Sequence, residues 1–340
     1  MVIVAIHSEP LISVVMPVYN AELYVADAIG SILIQTHNNL ELIIIDDCRH
    51  NKCKDIASAY SDSRVRYVRG RGEGLVAARN YGVDLAQGSY IANMDADDVA
   101  LPERLSVQLE YLKRNGCHIC GSWMRRHGLG LLRNPELDKN IKFSMLFFSP
   151  LANPTILGEA ALFKQNPYHI STAEDYDLWT RLARRGVVFG NVPAPLVNYR
   201  THPLQTSIIK VEGMVKDSEP IARRFAEYYL PKDQSSALEA FSFGMRPRYS
   251  RSEAVELCEL SLHVAHERAI SQSVLVKIVA LFFRKVVPMN PAILFCYLKI
   301  TRKAGLPLWT TETLNIGVQS LLSLNKDSPL FGVLKKFGRS

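Results

Sequence analysis

Short apolar runs alternate with amphipathic stretches along the first third of the chain. Ile12–Val18 and Leu40–Ile45 are mainly apolar runs, which are typical of strands buried on both faces. Between them, Leu23–Gln35 carries apolar residues at helical spacing. The alternation predicts helix, strand, helix, strand and helix in five further segments, namely Ile56–Tyr60, Val65–Val68, Leu75–Ala86, Tyr90–Met94 and Pro102–Asn115. This order predicts an α/β fold, with a mostly parallel sheet that has helices on both faces.

Polar side chains follow three of the predicted strands. Asn20 follows the first strand, Asp46 and Asp47 follow the second, and Asp95–Asp98 follows the fourth. The carboxyl ends of parallel strands meet at one edge of a sheet, where ligands of α/β folds bind. Three carboxylates within four positions repel one another, so we expect a divalent cation among them. The alternative is that these acidic residues only cap turns and helices.

Composition favours a globular protein without a disulfide framework. The 340 residues, of which 48% are hydrophobic, permit one large domain or two smaller ones. Six cysteines are few for this length, which favours a reducing, cytoplasmic environment. Cys117 and Cys120 have the spacing of half a zinc site, but we interpret this stretch as a buried strand. The short apolar amino terminus has no basic segment before it and predicts no signal peptide.

Strand signals fade beyond about Lys210, and helical patterning follows. We therefore predict an α/β domain over residues 1–210 and a helical, basic region over residues 211–340. Ser271–Ser340 contains ten Lys and Arg residues against two acidic ones, a net charge of +8, whereas the whole chain carries +7. The remainder of the chain is thus close to neutral.

The basic region of residues 271–340 combines apolar stretches with cationic edges. Val274–Phe283 and Ala292–Leu298 are almost wholly apolar, and Lys or Arg residues flank both. Val286–Leu298 contains two prolines and is shorter than the roughly 20 residues that a spanning helix needs. One interpretation is an anionic membrane surface as partner, on the inner face of the plasma membrane. The alternatives are a helical subdomain packed on the rest of the chain and a dimer interface. Nucleic acid is disfavoured, because no binding module is recognisable.

Six motifs, taken in order, resemble family 2 glycosyltransferases, whose nucleotide-sugar-binding fold is called GT-A. They are Val15–Asn20, Ile44–Asp47, Ala78–Gly82 with Ala86–Tyr90, Asp95–Asp98, Ala173–Trp179 and Tyr199–His202. The resemblance implies an inverting, metal-dependent enzyme that moves a sugar from a nucleotide sugar, such as a UDP-sugar, to an acceptor hydroxyl. The acceptor implied is a glycan or a lipid-linked glycan in surface polysaccharide or lipopolysaccharide synthesis.

The resemblance also implies roles for individual residues. Asp175 is the expected catalytic base, which takes the proton of the acceptor hydroxyl. Mn²⁺ or Mg²⁺ is the expected cofactor, with Asp97, Asp98 and His202 as its ligands. The residues expected to bind the nucleotide sugar are Pro17, Val18, Tyr19, Asn20, Asp46, Asp47, Arg79, Asp95, Ala96, Asp97, Glu174 and Arg200.

Several features leave alternatives open. Arg79 lies on an otherwise apolar helical face, so its partner is the donor diphosphate, a carboxylate of Asp95–Asp98 or a structural ion pair. Cys48–Asn51 stands where the family usually has Gly-Ser, and Leu157–Glu159 replaces a segment that often carries His or Arg. Gly70–Gly74 does not have the spacing of a dinucleotide-binding loop. A sugar-phosphate nucleotidyltransferase and a catalytically silent glycan- or nucleotide-binding module are the alternative functions.

Overall fold

The computed structural model describes residues 9–128, 130–169, 172–202, 205, 209, 211–231, 248–287 and 289–321. The chain folds into two compact units. One unit comprises residues 1–136 and 151–209, and the other comprises residues 137–150 and 210–340. The short segment 137–150 therefore groups with the carboxyl-terminal part of the chain.

The first unit begins with alternating strands and helices, as the hydrophobic pattern predicts. The elements in order are β1 (Ile12–Val18), α1 (Val25–Leu33), β2 (Leu40–Asp46), α2 (Lys52–Ser58), β3 (Val65–Arg69), α3 (Leu75–Leu85) and β4 (Tyr90–Asn93). The four strands lie in the order β3-β2-β1-β4, and every pairing among them is parallel. Their carboxyl ends consequently share one edge, which carries the residues that follow β1, β2 and β4.

The second half of this unit completes the sheet with mixed pairing. Its elements are β5 (Val99–Ala100), α4 (Arg104–Asn115), β6 (Ile119–Arg126), β7 (Gly130–Leu132), a 3₁₀ turn (Asn153–Thr155), β8 (Leu157–Glu159), α6 (Ala160–Gln165), α7 (Glu174–Arg184) and β9 (Phe189–Tyr199). The helix α5 (Asp138–Ser144) belongs to the other unit. The strand β8 pairs antiparallel with β4 and β6, whereas β9 pairs parallel with β6. The α/β fold is confirmed, with its uninterrupted parallel region in the first four strands.

Close packing of α3 on the sheet helps to position the edge formed by the carboxyl ends of the parallel strands. A Cβ atom added at Gly82 would lie 2.4 Å from Val15 Cγ1 of β1, so only glycine permits this approach. β1 and β2 are almost fully buried along their length, which explains their continuous apolar sequences. Close packing therefore fixes α3, β1 and β2 relative to one another, and with them the polar residues that follow the two strands.

The second unit is helical in the residues described. Besides α5 it contains α8 (Val211–Tyr229), α9 (Arg251–Glu267), α10 (Gln272–Phe283), α11 (Pro291–Lys303) and α12 (Thr311–Leu321). A capping box begins α9: the Ser250 side chain accepts from the backbone of Glu253, and the Glu253 side chain accepts from the backbone of Ser250. Among the described residues, no helix combines the length and apolar character needed to cross a membrane. The boundary between domains at residue 210 stays a prediction.

Candidate active site

A buried arginine joins three remote segments of the first unit. Arg79 is on α3 and is only 2% exposed. Its Nη1 donates to Glu174 Oε1 at 2.7 Å, and its Nη2 lies 3.6 Å from Asp95 Oδ1. The guanidinium also lies over the Tyr168 ring, 5.2 Å from the ring centroid. The sequence leaves three possible partners open for Arg79. In this structure Arg79 pairs with Asp95 of the acidic motif and with Glu174, the first residue of α7.

Burial raises the pKa values of two carboxyl groups of the acidic motif. The pKa of Asp95 is raised to about 6 by burial, which the charges of Asp97 and Glu174 reinforce and Arg79 opposes. The pKa of Asp98 is raised to about 9, first by burial and then by Asp95 and Asp97. These side chains lie where an anion is costly without a cation.

Two residues of the segment 200–202 contact the acidic motif. The backbone N–H of Arg200 donates to Asp98 Oδ1 at 3.0 Å, and His202 Nε2 lies 2.9 Å from Asp97 Oδ2. Tyr24, at the start of α1, supports both residues of this segment. The His202 ring stacks on it with centroids 4.8 Å apart, and the Arg200 guanidinium lies 5.5 Å from its ring centroid.

Asp175 follows Glu174 in the first turn of α7. Its Oδ1 accepts a hydrogen bond from the backbone N–H of Tyr176 at 2.6 Å. Burial, followed by the charge of Glu174, raises the pKa of Asp175 to about 7. Trp179 of the same helix is fully buried and packs edge-on against Tyr168. A carboxyl group that titrates near neutrality is suited to accept a proton in catalysis.

The structure separates the adjacent residues Asp46 and Asp47. Asp46 is fully buried, and its oxygens accept hydrogen bonds from the Cys48 backbone, the Tyr67 hydroxyl and Arg69. Asp47 is half-buried, and its two oxygens accept from the backbone N–H groups of Gly72 and Gly74, both at 3.0 Å. Asp47 thus borders the surface, whereas Asp46 lies inside the fold.

The remaining predicted donor-site residues lie at the ends of β1 and β4. Pro17 and Val18 end β1 and are buried, whereas Tyr19 and Asn20 are exposed. Asn20 has a φ of 50°, in the left-handed region that asparagine tolerates. Ala96 is buried between the two flanking aspartates. Among the described residues, no hydrogen bond or ion pair joins this group to Arg79, although strand order places the ends of β1 and β4 on one edge.

Comparisons with known proteins agree with this geometry. The model of the family described as glycosyl transferase family 2 matches residues 13–169. An uncharacterized glycosyltransferase of Haemophilus influenzae is 32% identical over 250 residues, which cover 66% of this chain and 75% of that protein. The chain belongs to glycosyltransferase family 2. The O-antigen biosynthesis glycosyltransferase WbnJ of Escherichia coli is 34% identical over 214 residues, covering 58% of this chain and 82% of WbnJ. Relatives from Rickettsia felis, Rickettsia conorii and Rickettsia bellii are longer, and the chain spans 27% to 31% of their length.

Solved structures confirm the GT-A type of fold for this glycosyltransferase. Staphylococcus aureus TarS, residues 1–349 in complex with UDP-GlcNAc, is 14% identical with a TM-score of 0.56. The similarity covers 91% of this chain and 90% of that one. The mannosyltransferase PcManGT of Pyrobaculum calidifontis, solved with GDP-Man and Mn²⁺, has 14% identity and a TM-score of 0.53, covering 92% of this chain and 87% of that one. At these identities the likeness shows the fold alone.

The acidic motif of this glycosyltransferase fits a divalent cation. Carboxylate oxygens of Asp95, Asp97 and Asp98 lie within 4.8 Å of one another. Within the described part of the chain, the buried Asp98 Oδ2 has no hydrogen-bond partner. Oxygen ligands of this kind suit Mg²⁺ and Mn²⁺, and the imidazole of His202 beside Asp97 is acceptable to Mn²⁺.

Three residues that hold the glycosyltransferase site together, Tyr168, Asn93 and Arg104, are absent from the sequence-based prediction. Tyr168 is buried, and its hydroxyl accepts from Asn93 Nδ2 at 2.7 Å. Arg104 is fully buried and donates to the backbone carbonyls of Asn93 and Ile156. The sequence contains one clue to Arg104: it is a polar residue on an otherwise apolar helical face. Tyr168 carries no such signal, because its contacts come from segments far away in sequence.

We predict that the free energy of unfolding depends strongly on Arg79. Arg79→Met leaves the carboxylates of Asp95 and Glu174 without their buried cation, and removal of one partner of a buried pair costs roughly 3–5 kcal/mol. Arg64→Met is the matched control, because Arg64 pairs with Asp62 nearer the surface and should contribute little. Denaturant unfolding in EDTA measures both variants. Equal effects of the two substitutions would contradict a central role for the buried pair.

Proposed function

We propose that this chain is an inverting, metal-dependent glycosyltransferase that uses a UDP-sugar and extends a glycan or lipid-linked glycan in surface polysaccharide synthesis. The observation that carries the proposal is the arrangement of Asp95, Arg79 and Glu174. It joins the acidic motif after β4 to the first turn of α7, where Asp175 lies. A cation site and a candidate base therefore lie within one polar cluster.

We assign metal binding to the acidic motif and to His202, which lies beside it. Asp97, Asp98 and His202 would hold Mn²⁺ or Mg²⁺, and Asp95 and Ala96 would face the donor. When bound, such an ion neutralises negative charge on the departing nucleoside diphosphate. The raised pKa of Asp98 and its unpartnered oxygen support this assignment, because a cation removes the cost of ionising a buried carboxylate.

The other donor contacts follow the strand ends. Pro17–Asn20 and Asp47 would bind the base and ribose, and Arg200 and Glu174 would border the diphosphate and sugar. Asp46 is best described as a residue that orients this loop, since it is buried and hydrogen-bonded. TarS was solved with UDP-GlcNAc and PcManGT with GDP-Man and Mn²⁺, which supports a nucleotide-sugar donor and a divalent metal.

Asp175 would provide the base. It takes the proton of an acceptor hydroxyl while that oxygen bonds to the anomeric carbon and the bond to the nucleoside diphosphate breaks. Attack from the face opposite the leaving group inverts the configuration. The role of WbnJ in O-antigen biosynthesis, as its name gives it, supports a bacterial surface glycan as the acceptor.

The proposed activity is tested by a donor screen. The purified chain is incubated with UDP- and GDP-sugars in Mn²⁺, Mg²⁺ or EDTA, and the released nucleoside diphosphate is measured. Metal-dependent release from one nucleotide sugar is the expected result. No release with any donor, together with no donor binding by calorimetry, would contradict the proposal in favour of a silent module. Formation of a nucleoside triphosphate and a sugar 1-phosphate when pyrophosphate is added would instead indicate a nucleotidyltransferase.

We predict that Asp175→Asn binds the donor normally but transfers about 10²–10⁴-fold more slowly, since it lacks the base. Because the pKa of Asp175 is raised to about 7 and the base acts when deprotonated, the parental kcat/KM should rise with pH up to about 7 and then level. Asp84→Asn, an exposed position on α3, is the matched control and should behave as the parent. If Asp175→Asn transferred sugar at the parental rate, the assignment of Asp175 as the base would be wrong.

We predict opposite effects of Asp98→Asn on the metal-free and metal-bound protein. The folded-state pKa of Asp98 is about 9, whereas its usual value is 3.8. Between these pH values Asp98 ionises in the unfolded state but keeps its proton in the fold, so the metal-free fold loses stability as pH rises. In EDTA near pH 8, Asp98→Asn should therefore melt no lower than the parent. Saturating Mn²⁺, at 100-fold its Kd, should stabilise the parent by about 2.7 kcal/mol but not this variant. Retention of the full Mn²⁺ shift in Asp98→Asn would exclude Asp98 as a ligand.

We also propose that the second unit lies on an anionic membrane, as a peripheral contact at the cytoplasmic leaflet. The apolar residues of α10 are largely buried within the unit, so this helix offers little surface to a membrane. Large apolar side chains are instead exposed on α11, α12 and their connection, with Trp309 at 97% exposure. The others are Phe295, Leu314 and Leu321.

Charge complements this apolar surface. Phe295, Lys299 and Arg302 follow the i, i+4, i+7 spacing that places residues on one helical face, and all three are exposed. Exposed tryptophan and cationic side chains together suit the interface of an anionic bilayer. This contact would bring the glycosyltransferase to a lipid-linked acceptor.

We predict that vesicles containing phosphatidylserine shift the Trp309 emission to the blue, whereas phosphatidylcholine vesicles do not. The chain has three tryptophans, and Trp179 is buried, so Trp309 should dominate the change. Each cation near the surface contributes about 1 kcal/mol, so Lys299→Glu with Arg302→Glu should weaken binding more than about tenfold. The control is the same double reversal at Lys113 and Arg114, which are exposed on α4. Equal binding of both double variants, or none by the parent at low salt, would contradict the proposal.

A further inference from the structure

Two cysteines and an aspartate form a compact buried cluster behind the predicted donor edge. Asp46 ends β2, Cys48 lies two residues later, and Cys53 is in the first turn of α2. Their oxygen and sulfur atoms lie within 4.8 Å of one another. The two sulfur atoms are 3.5 Å apart, and each residue is at most 2% exposed. The activity proposed above uses neither sulfur.

The sulfur separation matches shared coordination of a metal ion. Two thiolates on a tetrahedral zinc, each with a Zn–S bond of about 2.3 Å, lie roughly 3.8 Å apart. A disulfide requires about 2.0 Å, and both cysteines are free thiols. The observed 3.5 Å belongs to a hydrogen bond that the Cys48 thiol donates to Cys53 Sγ, and it is close to the spacing that a bound zinc ion imposes.

A backbone amide group is directed at one of the two sulfur atoms. The N–H of Asn20 donates to Cys48 Sγ at 3.3 Å. Such donors stabilise a thiolate more than a neutral thiol, because they favour the charged form. Buried cysteines that serve only as apolar packing do not need these donors.

The carboxylate of the cluster is held in one orientation. Tyr67 donates to Asp46 Oδ2 at 2.7 Å, and Arg69 Nη1 lies 3.2 Å from the same oxygen. Carboxylate ligands of metals are commonly oriented by such outer hydrogen bonds. Two thiolates, one carboxylate and a divalent ion together carry a charge of −1, which Arg69 balances. The cluster is thus neutral when occupied.

We propose that Asp46, Cys48 and Cys53 bind one thiophilic divalent cation, Zn²⁺ under physiological conditions, at a site distinct from the acidic motif Asp95–Asp98. Two sulfur–metal bonds form, and each thiol releases its proton to solvent. Three protein ligands leave one tetrahedral position for water. The ion ties the end of β2 to the first turn of α2, and the Asn20 N–H joins the turn after β1 to Cys48 Sγ. That these loops hold the nucleotide rests on the proposed function, whereas the metal site itself does not.

Cadmium binding to the reduced, full-length protein tests the site. Cd²⁺ is titrated in the presence of a phosphine reductant, and the thiolate-to-metal absorption band in the ultraviolet is followed. The expected result is a band that saturates at one equivalent in the parent. It should be lost in Cys48→Ala and in Cys53→Ala. Zinc content after growth with added Zn²⁺, measured by mass spectrometry, should change in parallel.

Two control variants separate this site from the others. Cys120→Ala removes a buried cysteine elsewhere in the same unit and should keep the band. Asp97→Asn removes a ligand of the proposed Mn²⁺ site and should also keep it. No band in the parent, or an unchanged band in Cys48→Ala, would overturn the proposal. Either result leaves the glycosyltransferase assignment standing, since donor hydrolysis tests that separately.

A conservative variant tests the orientation of Asp46. Tyr67→Phe removes one hydroxyl that donates to Asp46 and keeps the ring. Loss of such an outer partner typically weakens metal affinity about 10–100-fold. We therefore expect the Cd²⁺ dissociation constant of Tyr67→Phe to rise at least about tenfold while the band keeps its position. An unchanged constant would exclude Asp46 as a ligand.

Discussion

The gathering of acidic side chains at one edge of a sheet is the constraint on which this structure depends. Burial raises the pKa values of Asp95, Asp98 and Asp175 well above their ordinary value. The fold provides two buried cations nearby, Arg79 and Arg104, and burial lowers the pKa of Arg104 to about 10. These fixed cations leave the carboxylates only partly compensated. Such an edge gains stability when a mobile cation binds, which links metal binding to the fold itself.

The position of Arg79 follows from small residues on its helix. Gly82 allows α3 to approach β1 so closely that a single added carbon would collide with Val15. Ala78 on the same helix is buried. A helix packed this closely on the sheet places a long side chain next to the ends of the strands. The close approach of α3 to β1 at Gly82 therefore allows the Arg79 side chain to contact its carboxylate partners.

Sequence patterns predict the elements of this fold better than the contacts between them. Continuous apolar runs identify β1, β2 and β4 because strands buried on both faces have that composition. The same patterns group the adjacent aspartates together, whereas the structure buries Asp46 and leaves Asp47 near the surface. The alternation of side chains along a strand explains the difference. Tyr168 escapes prediction because its partners Arg79 and Asn93 are distant in sequence, and no local pattern records such a contact.

The order of strands places the two proposed cation sites along the same edge of the sheet. β2, β1 and β4 are neighbours and run parallel, so the residues that follow them lie along one edge. The cluster of Asp46, Cys48 and Cys53 follows β2, and the acidic motif follows β4. Thiolates select soft cations, whereas carboxylates select hard ones, so the two sites need not compete for the same metal. One ion would then hold the end of β2 to the first turn of α2, and the other would remain available to the donor diphosphate beside β4.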